Sequence, residues 1–415
     1  MDIAEPAVPV RPRVSAEQWI ALGLLAAVLI LSMTTWFSAS AVLPALRSRW
    51  SLSGGEAAWL TIAVQLGFVG GALVSAVTNL PDQLPARRVL FFASLGAAVV
   101  NGLVVLAPGA NVAIPLRFLT GFCIAGVYPP ALKVMATWFR SGRGLALGIL
   151  VGALTIGSAT PHLINGLGGL AWQLVIMSSS ALTLAGGAIA LFLVKDGPFP
   201  FPRGSFEPRY IFTAFANPAV RLANLGYFGH MWELYAMWSW FVIFLTDSLI
   251  ASGQSTSVRM AASLGTFLVI GAGAVGCYLG GLLGDRWGRT RTTAAAMAIS
   301  GSCSVLIGTT YGGPLLAILV VGVVWGIAVV ADSAQFSTMV TELADQAYVG
   351  TALTVQLAVG FSLTVVTIWI VPVLRDLVTW HWAFAFLAPG PALGVLAMLR
   401  LLNRPESARI AQGRG

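Results

Sequence analysis

The feature that most constrains this chain is a long series of apolar segments separated by short polar loops. An α-helix needs about 20 apolar residues to cross the hydrocarbon core of a bilayer, and each segment is close to that length. Because no water is available there, the backbone of a crossing segment must make its hydrogen bonds within a helix or a closed barrel. The pattern predicts an all-α membrane protein.

Twelve such segments fit the sequence, and we expect each of them to form a transmembrane helix. Two of the predicted turns are marked by glycine, in Gly166–Gly169 and in Tyr311–Pro314. The predicted helices cover residues 19–43, 57–80, 89–106, 112–137, 144–167, 170–194, 222–246, 258–284, 293–310, 314–339, 348–374 and 381–402.

The composition agrees with a chain that lies mostly in lipid. Only 9% of the 415 residues are charged, whereas about a quarter are charged in soluble globular proteins. The three cysteines lie inside apolar segments and have neither the spacing of a metal site nor that of a disulfide framework. We therefore expect no metal, no cofactor and no redox chemistry.

The distribution of lysine and arginine predicts the orientation in the membrane, because cytoplasmic loops are enriched in these residues. Most of the 23 Lys and Arg residues fall in loops on the side of the N-terminus, and this side also holds the C-terminus. Both termini are therefore predicted to be cytoplasmic. The polar residues 1–18 and the long first apolar segment indicate a retained helix, without a cleaved export signal. The net charge of +8 reflects this topology and does not predict nucleic-acid binding.

An internal repeat divides the chain into two halves of six helices. Arg143–Gly148, at the start of the fifth predicted helix, aligns with Val349–Thr354 at the start of the eleventh. We predict an N-terminal bundle over residues 1–195, a cytoplasmic linker over residues 196–221 and a C-terminal bundle over residues 222–415. Two similar bundles of this kind can move against each other around a central site.

A charged hairpin lies between the eighth and ninth predicted helices, in Gly281–Arg291. It contains Asp285, Arg286 and Arg289, which are expected at the membrane face because charges are costly in hydrocarbon. The loop between the second and third helices repeats this pattern in a degraded form, with Asp82 and Arg88.

Ionisable residues inside the predicted helices are the best candidates for function, since each is costly in hydrocarbon unless it faces water or a partner. Glu233 lies roughly 17 Å along the seventh helix, near the middle of the bilayer. His230 lies three residues earlier on nearly the same face. We predict that Glu233 and His230 carry a proton, with Asp332 of the tenth helix as a further candidate. The alternative is a structural Glu233 that is bonded to His230 or to a neighbouring helix.

Four other polar residues are candidate substrate contacts. Arg117 of the fourth helix shares a face with Tyr128 and could bind an anion. A structural ion pair or backbone carbonyl partners would account for Arg117 equally simply. Gln335 and Gln356 could line a cavity, although the Gln356 amide could also bridge two helices.

Together these patterns resemble the major facilitator superfamily of transporters over essentially the whole chain. The resemblance is carried by the six-plus-six layout, by Gly281–Arg291 and by Arg117-Phe-Leu-Thr-Gly121, which matches an Arg-x-x-x-Gly pattern of that family. Trp138-Phe139, followed by Arg143-Gly144, is similar to the organic-anion and cyanate permease-like branches. The resemblance implies 12 transmembrane helices in two pseudo-symmetric bundles within a bacterial inner membrane.

The resemblance also implies a cytoplasmic gate. Asp285 is expected to meet the start of the fifth helix at Arg143, and Asp82 the start of the eleventh. A carboxylate at a helix N-terminus accepts from unpaired N–H groups and is favoured by the helix dipole. Arg88, Arg286 and Arg289 belong to the same predicted gates. The alternative is that Asp285 only sets a hairpin turn.

The predicted function is a secondary transporter, a symporter that takes up a small organic solute, which we expect to be anionic, together with protons. No motif of an enzyme or of a nucleotide-binding loop occurs, so we predict no enzymatic activity. The fifth helix lacks the central proline of drug–proton antiporters between Gly148 and Gly157, which disfavours drug export. A drug or metabolite exporter and a transporter-like sensor remain as alternatives. We expect a monomer.

Overall fold

The computed structural model describes residues 15–140, 142–167, 171–200, 208–346 and 348–415, and every regular element within these ranges is a helix. Eleven stretches are long and apolar enough to cross a membrane. They are Ala16–Thr35, Gly54–Val77, Ala86–Leu106, Ala110–Trp138, Arg143–Leu167, Trp172–Phe192, Pro218–Ala251, Val258–Trp287, Arg289–Thr310, Leu315–Leu343 and Val349–Leu402.

The last of these stretches provides two crossings. It is 54 residues long and contains two helices, Val349–Ala383 and Pro389–Leu402. Thr379 interrupts the first of them with φ 61° and ψ 176°, which no helix accommodates. The described helices thus form twelve crossings, as predicted, which we number the first to the twelfth span. The eleventh ends before Thr379 and the twelfth follows it.

Three of the described spans consist of two shorter helices each, so backbone groups are released where the helix is interrupted. The parts are Ala110–Ile124 and Tyr128–Trp138, Val258–Gly271 and Gly273–Trp287, and Leu315–Ala331 and Ser333–Leu343. Three other spans end in a 3₁₀ turn, which is Met33–Thr35 in the first, Val104–Leu106 in the third and Ile307–Thr310 in the ninth. Short helices outside the spans are Ser38–Ala41, Leu43–Trp50, Leu80–Gln83, Ile211–Ala214 and the 3₁₀ elements Pro208–Tyr210 and Pro405–Gln412.

Two spans differ in length from the prediction. The first span ends at Thr35 instead of residue 43, because the chain turns at Met33–Thr35. The seventh is longer than predicted and begins at Pro218, where the side chain of Asn217 accepts from the N–H of Ala219 at 2.9 Å. Pro at the first helical position and an Asn cap together favour this earlier start. Part of the predicted turn at Gly166–Gly169 lies outside the described residues.

The two halves touch along the fifth and eighth spans and along the second and eleventh. A Cβ atom added to Gly148 would lie 2.8 Å from the carbonyl oxygen of Cys277, so the fifth and eighth spans approach backbone to backbone. Near the other end of the fifth span, Asn165 donates to Ser263 at 2.8 Å. These contacts place a closed interface at the centre of the molecule.

Candidate functional site

Six aromatic side chains meet where the first and second spans face the seventh and eleventh. Trp36 stacks on Tyr235 across the interface, with ring centroids 5.8 Å apart and planes inclined by 14°. Phe68 and Phe361 also meet across the interface, with ring centroids 4.7 Å apart and planes inclined by 37°. We call this group the aromatic cluster: Trp36, Phe37, Phe68, Tyr235, Trp238 and Phe361.

Three side chains of the aromatic cluster and of the helix that carries Phe68 have polar atoms without a partner among the described residues. The indole N–H groups of Trp36 and Trp238 are buried and unpartnered there. Neither the amide nitrogen nor the amide oxygen of Gln65 has a hydrogen-bond partner in the same ranges. Gln65 lies three residues before Phe68 in the second span, so the two side chains share a face. Buried polar groups almost always have a partner, so these atoms indicate a place for water or a ligand.

Arg117 is fully buried next to the turn that ends the first span. Its guanidinium donates to the carbonyl oxygens of Thr35 at 2.8 Å, of Leu60 at 3.3 Å and of Trp36. It also donates to Asn101 Oδ1 at 2.7 Å. The backbone partners named as an alternative are therefore present, and they hold the turn that places Trp36 in the aromatic cluster.

Glu233 lies inside the C-terminal half, on the side of the seventh span away from the aromatic cluster. Its carboxylate accepts from the hydroxyl of Ser300 at 2.8 Å and from the indole N–H of Trp325 at 2.7 Å. Only 1% of the residue is exposed. Within the described ranges no cationic side chain is recorded in ion-pair contact with this carboxylate. Its partners belong to the ninth and tenth spans and do not include His230.

His230 instead contacts the interruption of the tenth span. Its Nδ1 lies 2.8 Å from Oδ1 of Asp332, and its Nε2 lies 3.0 Å from the hydroxyl of Ser333. The contact with Asp332 is close but does not have the geometry of a hydrogen bond. Both residues are buried. One helical turn separates this pair from Glu233, so all three predicted proton-carrying residues lie in one region.

Gln335 belongs to a polar network near the charged hairpin. It accepts from Arg289 at 2.9 Å and donates to the carbonyl oxygen of Gly280 at 3.1 Å. Arg289 in turn holds Glu342 with its Nε and Nη2 atoms at 3.1–3.3 Å. Glu342 is a partner that the sequence analysis did not single out, because its position in the sequence is unrelated to the hairpin. The network joins the start of the ninth span to Ser333–Leu343, the second part of the tenth.

The other two predicted substrate contacts differ in their surroundings. Gln356 is buried and accepts from Ser337 at 3.4 Å, while its amide nitrogen has no partner in the part of the chain that the structure describes. Tyr128 begins the second part of the fourth span and is partly exposed. The interruption at residues 125–127 separates it from the helix that carries Arg117, so the two do not share one continuous helical face.

The carboxylate of Asp285 lies at the start of the fifth span, where the sequence analysis expected it. A Cβ atom added to Gly144 would lie 2.9 Å from Oδ2 of Asp285, which places the carboxylate directly at the start of Arg143–Leu167. Arg289 Nη1 lies 3.6 Å from the same carboxylate, and Arg143 donates from Nε to the carbonyl oxygen of Phe139 at 2.6 Å. Arg286 is exposed.

The corresponding loop of the first half is less informative. Arg88 is exposed near the start of Ala86–Leu103. The side chain of Asp82 lies outside the described residues, so its predicted contact with the eleventh span stays a prediction.

Comparison with known proteins decides the family. The model of the Major Facilitator Superfamily matches residues 25–254, which is more than half of the chain. This chain belongs to the Major Facilitator Superfamily. The fold agrees with that of a bacterial homologue of the human lysosomal transporter Spinster, solved in an inward-facing and unoccupied conformation. The two are similar at a TM-score of 0.66 and 16% identity, over 93% of this chain and 96% of that one.

Three curated members of the superfamily are similar in sequence. The gallate transporter of Pseudomonas putida is 26% identical over 71% of this chain and 72% of its own length. A putative tartrate transporter of Agrobacterium vitis is 28% identical over 33% of each chain. The uncharacterized transporter ESBP6 of Saccharomyces cerevisiae is 29% identical over 42% of this chain, which spans only 27% of that relative.

Three features of this superfamily member were not predicted from the sequence. Gln65 is a polar residue within an apolar segment, and that signal could have identified it. His162 of the fifth span is fully buried, and neither ring nitrogen has a partner among the described residues. The aromatic cluster left no local signal, since the chain has 21 Phe, 14 Trp and 7 Tyr residues to choose from.

The contact at Gly144 predicts the effect of changing Asp285 in this superfamily member. We expect Asp285→Asn to shift the balance between the inward-facing and outward-facing states by about fivefold, because a charge at a helix N-terminus contributes about 1 kcal/mol. Labelling rates of a cysteine introduced at the inner end of the fifth span measure this balance. Arg400→Gln is the control, since Arg400 is exposed at the end of the last span, outside the hairpin, and should leave the rate unchanged. Equal labelling in Asp285→Asn and wild type would remove the gating role.

Proposed function

We propose that this protein is a secondary transporter that takes up a small organic anion together with protons by alternating access. Two similar halves that meet at a closed interface support movement of one half against the other. The named relatives carry gallate and, putatively, tartrate, which are both organic acids. The unpartnered polar atoms at the interface support a substrate site between the halves.

The observation that carries proton coupling is the environment of Glu233. Ser300 and Trp325 are both neutral hydrogen-bond donors, so they can hold the carboxyl group without neutralising it. Whenever Glu233 gains or loses a proton, the net charge of the buried region changes by one. The contact between His230 and Asp332 lies one turn away and can respond to that change. We propose that these three residues form the proton-coupling site.

The substrate contacts are proposed from the same geometry. Arg117 and Gln335 already bond to atoms of the protein, so we propose that they position the structure around the path. Tyr128 and Gln356 stay candidate contacts for the substrate. Asp285, together with Arg143 and the other hairpin residues, forms the proposed cytoplasmic gate.

The remaining assignments follow the sequence. We propose two bundles, over residues 1–195 and 222–415, joined by a cytoplasmic linker over residues 196–221. Both termini face the cytoplasm in this proposal, the protein is a monomer, and the membrane is the cell membrane. The lysine and arginine distribution supports the orientation.

Uptake into proteoliposomes tests this proposal. With a pH gradient of one unit, acidic outside, we expect labelled gallate or tartrate to accumulate about tenfold. This value applies when each transport cycle carries one proton and moves no net charge across the membrane. A protonophore added with valinomycin and potassium should abolish the accumulation, so that the substrate concentrations inside and outside become equal. Uptake that does not depend on the gradient contradicts proton coupling. Absence of uptake for every organic anion tried contradicts the proposed function itself.

A further inference from the structure

The aromatic cluster joins the two halves of the protein. Trp36, Phe37 and Phe68 belong to the N-terminal half, whereas Tyr235, Trp238 and Phe361 belong to the C-terminal half. Any movement of one half against the other must therefore separate some of these rings. A ligand that replaces the lost ring contacts is held by both halves at once, which is what a transported substrate requires.

The geometry of the rings favours a flat ligand. Trp36 and Phe37 both lie nearly parallel to Tyr235, with interplanar angles of 14° and 9°. Offset stacking of this kind is a preferred arrangement of aromatic pairs, and a planar ring of a ligand can take the place of either partner. An aliphatic acid of the same size has no face that stacks.

The unpartnered polar atoms favour an anion over a cation. Three groups around the cluster offer N–H donors, namely the indoles of Trp36 and Trp238 and the amide of Gln65. Only the amide oxygen of Gln65 is left as a free acceptor among these atoms. Carboxylate oxygens accept only, so they match the donors, and a ring hydroxyl matches the single acceptor. None of the cluster residues carries a negative charge that would select a cation.

We propose that the aromatic cluster and Gln65 form the substrate site, and that the substrate is a planar aromatic carboxylic acid that carries a ring hydroxyl group. This inference rests on the proposed function and names the substrate class of the same interface. The ring stacks between Trp36 and the rings of the C-terminal half. The indole N–H groups and the Gln65 amide hold its polar groups.

Binding to the purified wild-type protein tests the substrate class without any substitution. Isothermal titration compares 4-hydroxybenzoate with 4-hydroxycyclohexanecarboxylate, which has the same polar groups on a saturated ring. We expect the aromatic acid to bind at least tenfold more tightly. Equal affinities, or preferential binding of an aromatic cation such as tetraphenylphosphonium, overturn the inference.

Two substitutions test the site. Trp238→Phe keeps a ring and removes the N–H group. Gln65→Leu removes the amide nitrogen and oxygen and keeps a similar side-chain volume. We expect each to weaken binding of 4-hydroxybenzoate about tenfold, while Trp172→Phe leaves it unchanged because Trp172 packs on Trp50 outside the cluster. Wild-type affinity in both folded variants overturns the site assignment. Uptake of tartrate without any uptake of aromatic acids overturns the inference alone and leaves the proposed function standing.

Discussion

Glu233→Gln is expected to abolish proton-driven accumulation of substrate and to leave substrate exchange across the membrane intact. Glutamine has the shape of the protonated carboxyl group, and its oxygen can still accept from Ser300 or Trp325. It cannot release a proton, so one step of the coupled cycle is missing. The expected loss is the whole accumulation, about tenfold for a gradient of one pH unit.

Two assays on the same proteoliposomes separate coupling from binding. Accumulation is measured with the pH gradient present, and exchange is measured with equal substrate and equal pH on both sides. Ser300→Ala is the matched control, because it removes one hydrogen bond to Glu233 and keeps the carboxyl group. We expect that variant to retain accumulation. Normal accumulation in Glu233→Gln would rule out Glu233 as the coupling residue.

The second large effect is expected at Arg117, where Arg117→Gln should destabilise the protein severely. The guanidinium donates hydrogen bonds to the carbonyl oxygens of Leu60, Trp36 and Thr35. A hydrogen bond to a charged group contributes about 1.5–3 kcal/mol, so loss of these contacts together costs several kcal/mol. We expect the apparent melting temperature to fall by on the order of 10 °C.

Thermal unfolding in detergent, followed by size-exclusion chromatography, measures this loss. Arg117→Lys should recover only part of the stability, because an ammonium group lacks the planar fork that reaches several carbonyls at once. Arg49→Lys serves as the control, since Arg49 is exposed at the end of a short helix. If Arg117→Gln melts like the wild type but fails to bind 4-hydroxybenzoate, Arg117 contacts the substrate and does not act as a positioning residue.

The number of spans could be predicted because crossing a bilayer is a local property of a segment. Length and apolar composition decide it, whatever the rest of the chain does. The meeting of Asp285 with Gly144 was also within reach, since the charged hairpin and the start of the fifth helix are both marked in the sequence. In both cases, the residue types within a short stretch of sequence are enough to predict the structural feature.

The partners of Glu233 could not be predicted in the same way. Ser300 is 67 residues away and Trp325 is 92 residues away, so both contacts depend on how three helices are rotated against one another. The turn that ends the first span has a similar origin. Residues 31–37 contain neither Gly nor Pro, and the carbonyl groups released there are taken up by Arg117, more than 80 residues later.

The packed rings at the centre also bear on energy conservation. Protons move through proteins along chains of water and polar groups, and tightly packed aromatic side chains leave no room for such a chain. A carrier resting in this conformation without cargo therefore has no wet route from one membrane face to the other at that level. The six side chains that are proposed to bind the substrate can thus also prevent protons from leaking through the empty carrier.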